Sequence, residues 1–365
     1  MAKFTCPYCY ATYNKKEVLY VCPEANCAVD VVPKRTFSSK PPNCGTCGLP
    51  ATTRRCPKGT HGPIPPALLD TPMLPFSIVG VPASGKTVYI TAMIHELKRS
   101  RAIPFALSFQ DDFTKMRQAN HWEQLSERHI PPDSTAGQAP LPQVWLLQNQ
   151  LRGDAPYTFT IFDGAGEDYE NRIVDSNHPV TRYIGMSKSI ILVLDPLTLS
   201  YVRRSGFVDK DILQNSLQGG EGEAKDAAQI LIDMIQYIRR TNPKIGFKNK
   251  IPMIMAVVLT KFDTLLSHPA FREDALVKNS SLTIRDGKIS MEEIDAVHEE
   301  IKDWLYDVEE GEIIKQLDTN IQEYKFFGVS SYGQPPTSAY EVPEIKSHRV
   351  LDPMLWLLKK AKFID

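Results

Sequence analysis

Apolar and polar residues follow two different periods along the chain from residue 74 onward. The apolar run MLPFSIV predicts a short strand that ends at Gly80. After a short loop, an apolar stripe recurs at i, i+3, i+4 and i+7 and consists of Ile90, Met93, Ile94 and Leu97. That spacing predicts an amphipathic helix with one buried face. The pattern therefore predicts an α/β unit of strand, loop and helix.

Further apolar runs predict the remaining strands. In chain order they are QVWLLQNQ, YTFTIFD, SIILVLD, MIMAVVL and KFFGVSS. The turn LRGDAP joins the first two, which predicts an antiparallel hairpin. Helical stripes lie in segments 227–238 and 294–305, between the later strands. The fold class we predict is α/β, with a mostly parallel sheet flanked by helices.

Charge and proline content change near residues 62–75. Residues 1–62 carry nine Lys/Arg and three Asp/Glu, and 12 of the 28 prolines lie in the first 75 residues. We therefore predict a small domain at 1–62, a proline-rich extended linker at 63–73 and a large domain at 74–365.

Composition limits the class of protein. The chain has 365 residues, 42% hydrophobic, and a formal net charge of -1. Its longest apolar runs are far shorter than the roughly 20 residues that span a bilayer. The N-terminus lacks the apolar core of a signal peptide. We expect a cytoplasmic protein without a membrane span.

All seven cysteines lie in the first 62 residues. Their spacing is C-x2-C-x12-C-x4-C followed by C-x2-C-x8-C, and His61 completes a second set of four. We predict two structural Zn²⁺ sites with the following ligands: Cys6, Cys9, Cys22 and Cys27 in one, and Cys44, Cys47, Cys56 and His61 in the other. Disulfides are the alternative, although intracellular thiols stay reduced. The segment resembles a tandem zinc ribbon.

Zinc ribbons bind protein or nucleic acid, or brace a fold. Zinc binding leaves this segment with a modest basic charge of about +3. Its aromatic residues can stack on bases or shield the metal sites. We favour docking of a protein partner over binding of nucleic acid.

The loop GVPASGKT fits G-x-x-x-x-G-K-[ST] between a predicted strand and a predicted helix. Its backbone N–H groups and the helix N-terminus are expected to hold phosphate oxygens. The residues that we expect to contact the nucleotide here are Gly80, Ala83, Ser84, Gly85, Lys86, Thr87 and Val88. Lys86 is expected to reach the β- and γ-phosphates, and Thr87 to bind Mg²⁺.

Other strand ends carry matching groups. YTFTIFD ends in D-x-x-G, where Asp163 suits the Mg²⁺ shell and the amide of Gly166 suits the γ-phosphate. MIMAVVL is followed by T-K-x-D, and the last strand is followed by two serines. In this order, GxxxxGKT, DxxG, TKxD and VSS resemble a P-loop GTPase of the Ras-like or translation-factor class, over residues 74 to about 364.

That resemblance implies GTP/GDP as the ligand. It implies that Asp263 accepts hydrogen bonds from guanine, that Lys261 packs on the base beside Thr260, and that the backbone of Ser330 and Ser331 meets guanine O6. Such a site can reject ATP by roughly 10⁴-fold, because adenine leaves the carboxylate unpaired.

A narrower resemblance is to the bacterial double-GTPase (DO-GTPase) group of the TRAFAC class. It rests on SGKTVYITAMIHEL and DGAGED together with the zinc module. This resemblance implies a role in a conflict or defence system.

The chain departs from the Ras-like pattern in three places. The domain has surplus segments at 102–141 and 264–290. The first of these segments is where GTPases carry switch I, and Thr135 is our candidate for its threonine, with Ser134 and Thr114 as alternatives. Glu167 stands where Ras-like proteins carry Gln, and a carboxylate there repels the γ-phosphate, so we expect slow hydrolysis.

Three functions fit these features. The first is a Mg²⁺-dependent GTPase switch that docks a partner. The second is a hydrolytically slow GTP-binding scaffold or nucleic-acid adaptor. The third is a P-loop kinase or ATPase in which T-K-x-D occurs by chance.

Overall fold

A computed structural model describes the chain between residues 3 and 364, with gaps. The described residues are 3–27, 30–31, 40–58, 61–132, 141–150, 156–163, 179–217, 226–242, 245–246, 248–279, 284–285, 288–336 and 341–364. Their strands are β1 (Lys3–Thr5), β2 (Thr12–Asn14), β3 (Leu19–Val21), β4 (Asp30–Val31), β5 (Thr53–Arg55), β6 (Met73–Val79), β7 (Phe105–Phe109), β8 (Gln143–Asn149), β9 (Tyr157–Asp163), β10 (Ser189–Leu194), β11 (Ile251–Leu259), β12 (Ile284–Arg285), β13 (Lys288–Ile289) and β14 (Ile321–Gly328). Their α-helices are α1 (Ala67–Asp70), α2 (Lys86–Arg99), α3 (Asp112–Ser126), α4 (Pro179–Met186), α5 (Ser200–Ser205), α6 (Lys210–Leu217), α7 (Ala227–Thr241), α8 (Met291–Asp307), α9 (Gly311–Asn320) and α10 (Asp352–Lys360).

A seven-stranded sheet forms the centre of the larger part of the molecule. Its strands lie in the order β14–β11–β10–β6–β9–β8–β7. The first five are parallel to one another, whereas β8 pairs antiparallel with both β9 and β7. The loops that follow the parallel strands therefore meet along one edge of the sheet, where ligands bind in open α/β sheets.

Apolar side chains cover both faces of this sheet. The predicted stripe of α2 is buried on one face, together with α10. The other face packs against α4, α7 and α9 in a separate core. Because both faces are covered, the central strands are mostly apolar, and β10 is buried along its whole length.

The sequence patterns predict these central elements correctly. The strands from MLPFSIV to MIMAVVL, the β8–β9 hairpin and both later helices are confirmed. The last strand starts earlier than KFFGVSS indicates and ends at Gly328, before the two serines. The surplus segment 102–141 contains β7 and α3, which the patterns did not predict.

Before the sheet, the chain forms a small module of two- and three-stranded sheets. β1 pairs with β2, and β3 pairs with β4 and β5. Its core is small and is built around Phe4, Val18 and the buried cysteines. In the described residues, the molecule is thus an α/β fold preceded by a cysteine-rich module that fits zinc ribbons.

The segment between the module and β6 is not extended throughout, contrary to our expectation. One helical turn, α1, follows Pro65 and Pro66, and proline is well tolerated at the start of a helix. Leu68 and Leu69 on this turn are buried against Phe4 and the cysteines of the module. Burial of these two leucines favours the helical turn over an extended chain. No helix in the described residues is long and apolar enough to cross a membrane.

Candidate nucleotide-binding site and metal centres

The glycine-rich loop lies between β6 and α2 at the carboxyl edge of the sheet. A Cβ atom on Gly80 would lie 2.5 Å from the carbonyl oxygen of Val193, so only glycine fits where the loop crosses β10. Ala83 and Gly85 both have positive φ angles, of 60° and 84°. These angles turn the loop back on itself in front of the N-terminus of α2, which leaves a concave run of backbone N–H groups.

Lys86 lies buried inside this loop. Its Nζ donates to the carbonyl oxygens of Gly80 at 2.8 Å and Val81 at 2.7 Å. The ammonium group is therefore fixed within the curve of the loop, where phosphate oxygens would meet it.

Thr87 and Asp163 meet next to the loop. The Thr87 hydroxyl donates to Asp163 Oδ2 at 3.1 Å, and the guanidinium of Arg117 contacts the same oxygen at 3.1 Å. Asp163 Oδ1 is buried and has no hydrogen-bond partner in the described structure. A buried carboxylate oxygen beside a threonine hydroxyl is the hard oxygen donor set that Mg²⁺ prefers, so these residues fit the metal.

The T-K-x-D turn follows β11 and contacts the glycine-rich loop directly. Thr260 Oγ1 donates to the carbonyl oxygen of Ser84 at 2.7 Å, and Lys261 Nζ donates to that of Ala83 at 3.2 Å. Lys261 also pairs with Asp195, at the end of β10, at 2.5 Å. These contacts place the turn and the loop at a fixed separation.

Asp263 lies at the end of this turn and is partly buried. Burial raises the pKa of its carboxyl group, and a hydrogen bond with the Ser330 side chain acts in the opposite direction. Burial also raises the pKa of the neighbouring Tyr332 hydroxyl, which the Asp263 charge reinforces. A half-desolvated carboxylate of this kind gains most from a ligand that brings N–H donors.

The two serines after β14 are held by the loop that returns from residue 341. Ser330 exchanges backbone hydrogen bonds with His348, at 3.0 Å and 2.7 Å. The Ser330 hydroxyl also accepts from the N–H of Gly333, and Ser347 donates to the carbonyl of Ser331. Of the two serines, Ser330 also interacts through its side chain with the Asp263 carboxylate.

The structure does not describe all of the predicted residues. Thr135, its alternative Ser134, Gly166 and Glu167 lie outside the described residues. Thr114, the other switch I alternative, is fully buried and accepts a hydrogen bond from the N–H of Val144 at 2.8 Å. It joins α3 to β8 in this structure.

Val88 is in the first turn of α2 and is partly buried.

Two residues at the site were missed by sequence reasoning. Asp195 follows a predicted strand directly, so its position at the same sheet edge could have been found. Arg117 lies on an unpredicted helix and carries no sequence signal.

The eight predicted zinc ligands form two groups in the described structure, but their assignment to sites was wrong. The groups are Cys6, Cys9, Cys56 and His61, and Cys22, Cys27, Cys44 and Cys47. Each centre combines a pair from the first half of the module with a pair from the second half. The antiparallel pairing of β3 with β5 explains the exchange, because it brings the chain near Cys22 and the chain near Cys56 to opposite ends of one ladder.

The distances within both groups fit tetrahedral zinc. The Sγ atoms of Cys9 and Cys56 lie 3.7 Å apart, and those of Cys22 and Cys47 lie 3.5 Å apart. Two sulfurs bound at about 2.3 Å in a tetrahedron would be separated by about 3.8 Å. His61 Nε2 lies 2.9 Å from Cys56 Sγ, and its Nδ1 lies 2.8 Å from the carbonyl oxygen of Gly62. Nε2 is therefore the nitrogen available for a metal.

The first of these centres contacts the larger domain. The Tyr8 hydroxyl donates to Asp111 Oδ2 at 3.0 Å, and its ring lies 5.1 Å from that of His61. Tyr10 packs edge-on against Phe162 and Tyr183, whose rings stack on each other. The cysteine-rich module thus contacts the larger domain at Asp111 and at Phe162, the residue before Asp163 in β9.

Three features of this site define a P-loop GTPase. They are the glycine-rich phosphate-binding loop, the carboxylate of Asp163 beside Thr87, and the T-K-x-D turn that is hydrogen-bonded to the loop. The sequence profile of the Double-GTPase 2 family matches residues 75–317, which is more than half of the chain. The chain therefore belongs to the Double-GTPase 2 family. No curated protein matches it significantly.

Solved structures with similar folds are distant. A small GTPase, Arl6 (BBS3) from Trypanosoma brucei with a bound GppNp, is 10% identical, with a TM-score of 0.34, 80% of this chain covered and 99% of the other. The Ski7 GTPase-like domain of S. cerevisiae bound to GTP is 14% identical, with a TM-score of 0.36 and coverages of 80% and 51%. The bacterial selenocysteine-specific elongation factor EF-Sec is 14% identical, with a TM-score of 0.30 and coverages of 81% and 30%.

Proposed function

We propose that this protein binds Mg²⁺–GTP at the carboxyl edge of its sheet and acts as a GTPase switch with a low intrinsic rate. The observation that carries this proposal is the attachment of the T-K-x-D turn to the glycine-rich loop. Thr260 and Lys261 bond to the carbonyls of Ser84 and Ala83, so the base-reading carboxylate has a set distance from the phosphate loop. A rigid separation of this kind selects a ligand with a purine at one end and phosphates at the other.

In this proposal the residues have separate roles. Lys86 and the loop N–H groups hold the β- and γ-phosphates, while Thr87 and Asp163 hold Mg²⁺, which neutralises phosphate charge. Asp263 accepts hydrogen bonds from guanine, and the Ser330–Ser331 backbone meets its O6.

Nucleotide selectivity tests the guanine assignment. Titration with fluorescent nucleotides should show that GTP binds roughly 10⁴-fold more tightly than ATP. Asp263→Asn should lose at least about 100-fold in GTP affinity, because two hydrogen bonds to a charged group disappear. The amide offers a donor to the oxygen that xanthine carries in place of the amino group, so the variant should gain affinity for XTP.

A matched control is Asp274→Asn, which removes an exposed carboxylate paired with Arg272 shortly after the same turn. It should leave GTP affinity unchanged. Equal affinity of the wild type for ATP and GTP would overturn the guanine assignment and favour a P-loop ATPase or kinase.

Turnover is the second part of the proposal. Pro82 in the loop has no N–H to offer the phosphates, and Glu167 replaces the residue that orients water in Ras-like proteins. Both substitutions favour slow hydrolysis. Appreciable GTP turnover that Lys86→Ala abolishes would support a switch, whereas background rates with every cognate partner would indicate a binding scaffold.

We further propose that the zinc ribbons, at residues 1–62 before a linker at 63–73, dock a protein partner. The contact of Tyr8 with Asp111 supports this, because Asp111 caps helix α3 and a partner at the first centre would lie next to that helix. Binding of nucleic acid by the ribbons is the alternative. Pull-down from cells with and without bound GTP analogue, followed by nuclease treatment, separates the two. The role in conflict systems implied by the family resemblance stays a prediction.

A further inference from the structure

Arg117 brings a positive charge into the nucleotide site from a helix outside the predicted GTPase pattern. Its guanidinium lies 3.1 Å from Asp163 Oδ2, and the two side chains are only 11% and 1% exposed. The attraction between the two charges is stronger than in a surface salt bridge, because little water screens a buried pair.

Helix α3 holds Arg117 in position through contacts on several sides. Asp111 caps its N-terminus by accepting from the Thr114 N–H at 2.6 Å. Gln118 donates to the carbonyl oxygen of Thr91 in α2 at 3.1 Å. Trp122 stacks on His95 of α2, with ring centroids 3.4 Å apart and planes 8° from parallel. The helix is therefore fixed to the element that follows the glycine-rich loop.

Two cations require the same carboxylate. In this structure Asp163 Oδ2 accepts from Thr87 and Arg117, while Oδ1 is buried without a partner. Thr87 and Asp163 are also the pair that fits Mg²⁺. A guanidinium at hydrogen-bond distance neutralises the carboxylate and repels a divalent cation at the same place.

We propose that Arg117 competes with Mg²⁺ for Asp163, so that loading of Mg²⁺–nucleotide requires Arg117 to release this carboxylate. This inference rests on the proposed function of the site. Once released, the guanidinium has an alternative partner in the phosphates, which Arg binds through two parallel hydrogen bonds. The helix inserted at 102–141 thus sets the Mg²⁺ concentration at which the site fills.

The test is the Mg²⁺ dependence of binding of a fluorescent GTP analogue to the full chain. Arg117→Ala and Arg117→Gln should each lower the half-saturating Mg²⁺ concentration by about tenfold, equivalent to about 1.4 kcal/mol. Arg117→Lys keeps the charge and should stay within about threefold of the wild type. Thermal unfolding of each variant shows that it is folded.

The matched control is Arg128→Ala, which removes an exposed arginine paired with Glu123 just after the same helix. It should leave the Mg²⁺ dependence unchanged. A half-saturating Mg²⁺ concentration that is unchanged or raised in the folded Arg117 variants would overturn the inference while leaving GTP binding intact. Failure of the wild type to bind the analogue at any Mg²⁺ concentration would instead reject the proposed function and this inference together.

Discussion

The exchange of ligands between the two zinc centres can be tested by counting metal ions in two double variants. Cys6 and Cys56 belong to one centre in the structure, whereas Cys6 and Cys22 belong to different centres. Cys6→Ser with Cys56→Ser should therefore retain one zinc per chain. Cys6→Ser with Cys22→Ser should leave three ligands at each centre and lose both ions to a mild chelator. Ligand sets taken in sequence order predict the opposite result for each variant.

The expected effect on stability follows from the environment of each centre and not from the length of chain that it closes. The link from Cys9 to Cys56 spans 47 residues, and that from Cys22 to Cys47 spans 25. Loop-closure entropy scales as (3/2)RT ln n, so this difference amounts to only about 0.6 kcal/mol. Cys9 and Cys56 are buried in the module core, while Cys47 is exposed. Loss of the first centre should therefore destabilise the protein more than the entropy difference allows.

The assay is zinc content by mass spectrometry after dialysis against the chelator, combined with chemical unfolding of the same samples. Cys22→Ser with Cys47→Ser serves as the matched variant for the second centre and should also retain one zinc, with a smaller loss of stability. One zinc in the Cys6/Cys22 variant together with none in the Cys6/Cys56 variant would refute the exchanged pairing.

Two further predictions concern the larger domain. Burial lowers the pKa of His298 to about 4, and the charges of Lys325 and Lys302 act in the same direction, so the neutral ring is favoured in the folded state. In that ring, Nδ1 accepts a hydrogen bond from the N–H of Phe326. Since the folded pKa lies below the unfolded value of 6.5, the contribution of the neutral ring to the free energy of unfolding is complete above pH 6.5 and is lost as the pH falls towards 4. Urea unfolding should show up to about 3 kcal/mol of pH-dependent loss, which His298→Asn should remove. The same pH dependence of the unfolding free energy in wild type and variant would contradict the assignment. Gly80→Ala should weaken GTP binding at least about tenfold, because the new Cβ meets the Val193 carbonyl oxygen at 2.5 Å. The control is Gly185→Ala on α4, where a Cβ meets nothing within 4 Å, and it should leave GTP affinity intact. Similar titration curves for the two variants would show that the loop tolerates the methyl group.

The strands of the sheet could be predicted from the sequence alone because their residue patterns depend on neighbouring positions in the chain. A strand covered on both faces is mostly apolar, and a phosphate loop requires glycine where backbone segments approach closely, as Gly80 does at β10. These requirements can be read from neighbouring residues. The residues that follow β9 in D-x-x-G lie outside the described part of the chain, so the predicted role of Glu167 stays a prediction.

Non-local features could not be predicted in this way. The pairing of Cys22 with Cys47, and of Cys9 with Cys56, depends on how strands of the module cross, which spacing alone does not specify. Arg117 reaches Asp163 from 46 residues away because α3 packs on α2, and nothing in its immediate sequence marks it. Both misses concern which parts of the chain meet, although the cysteine and histidine residue types did indicate metal ligands.

The edge-on packing of Tyr10 against Phe162 and Tyr183 has a consequence for how the module is attached to the larger domain. Its side chain is 8% exposed, and stripping an aromatic ring of this size from its neighbours costs roughly 4–6 kcal/mol. This buried contact consequently holds the cysteine-rich module against the nucleotide-bearing domain. A macromolecule that binds the module beside Tyr10 would therefore press on strand β9 through Phe162, the residue before Asp163.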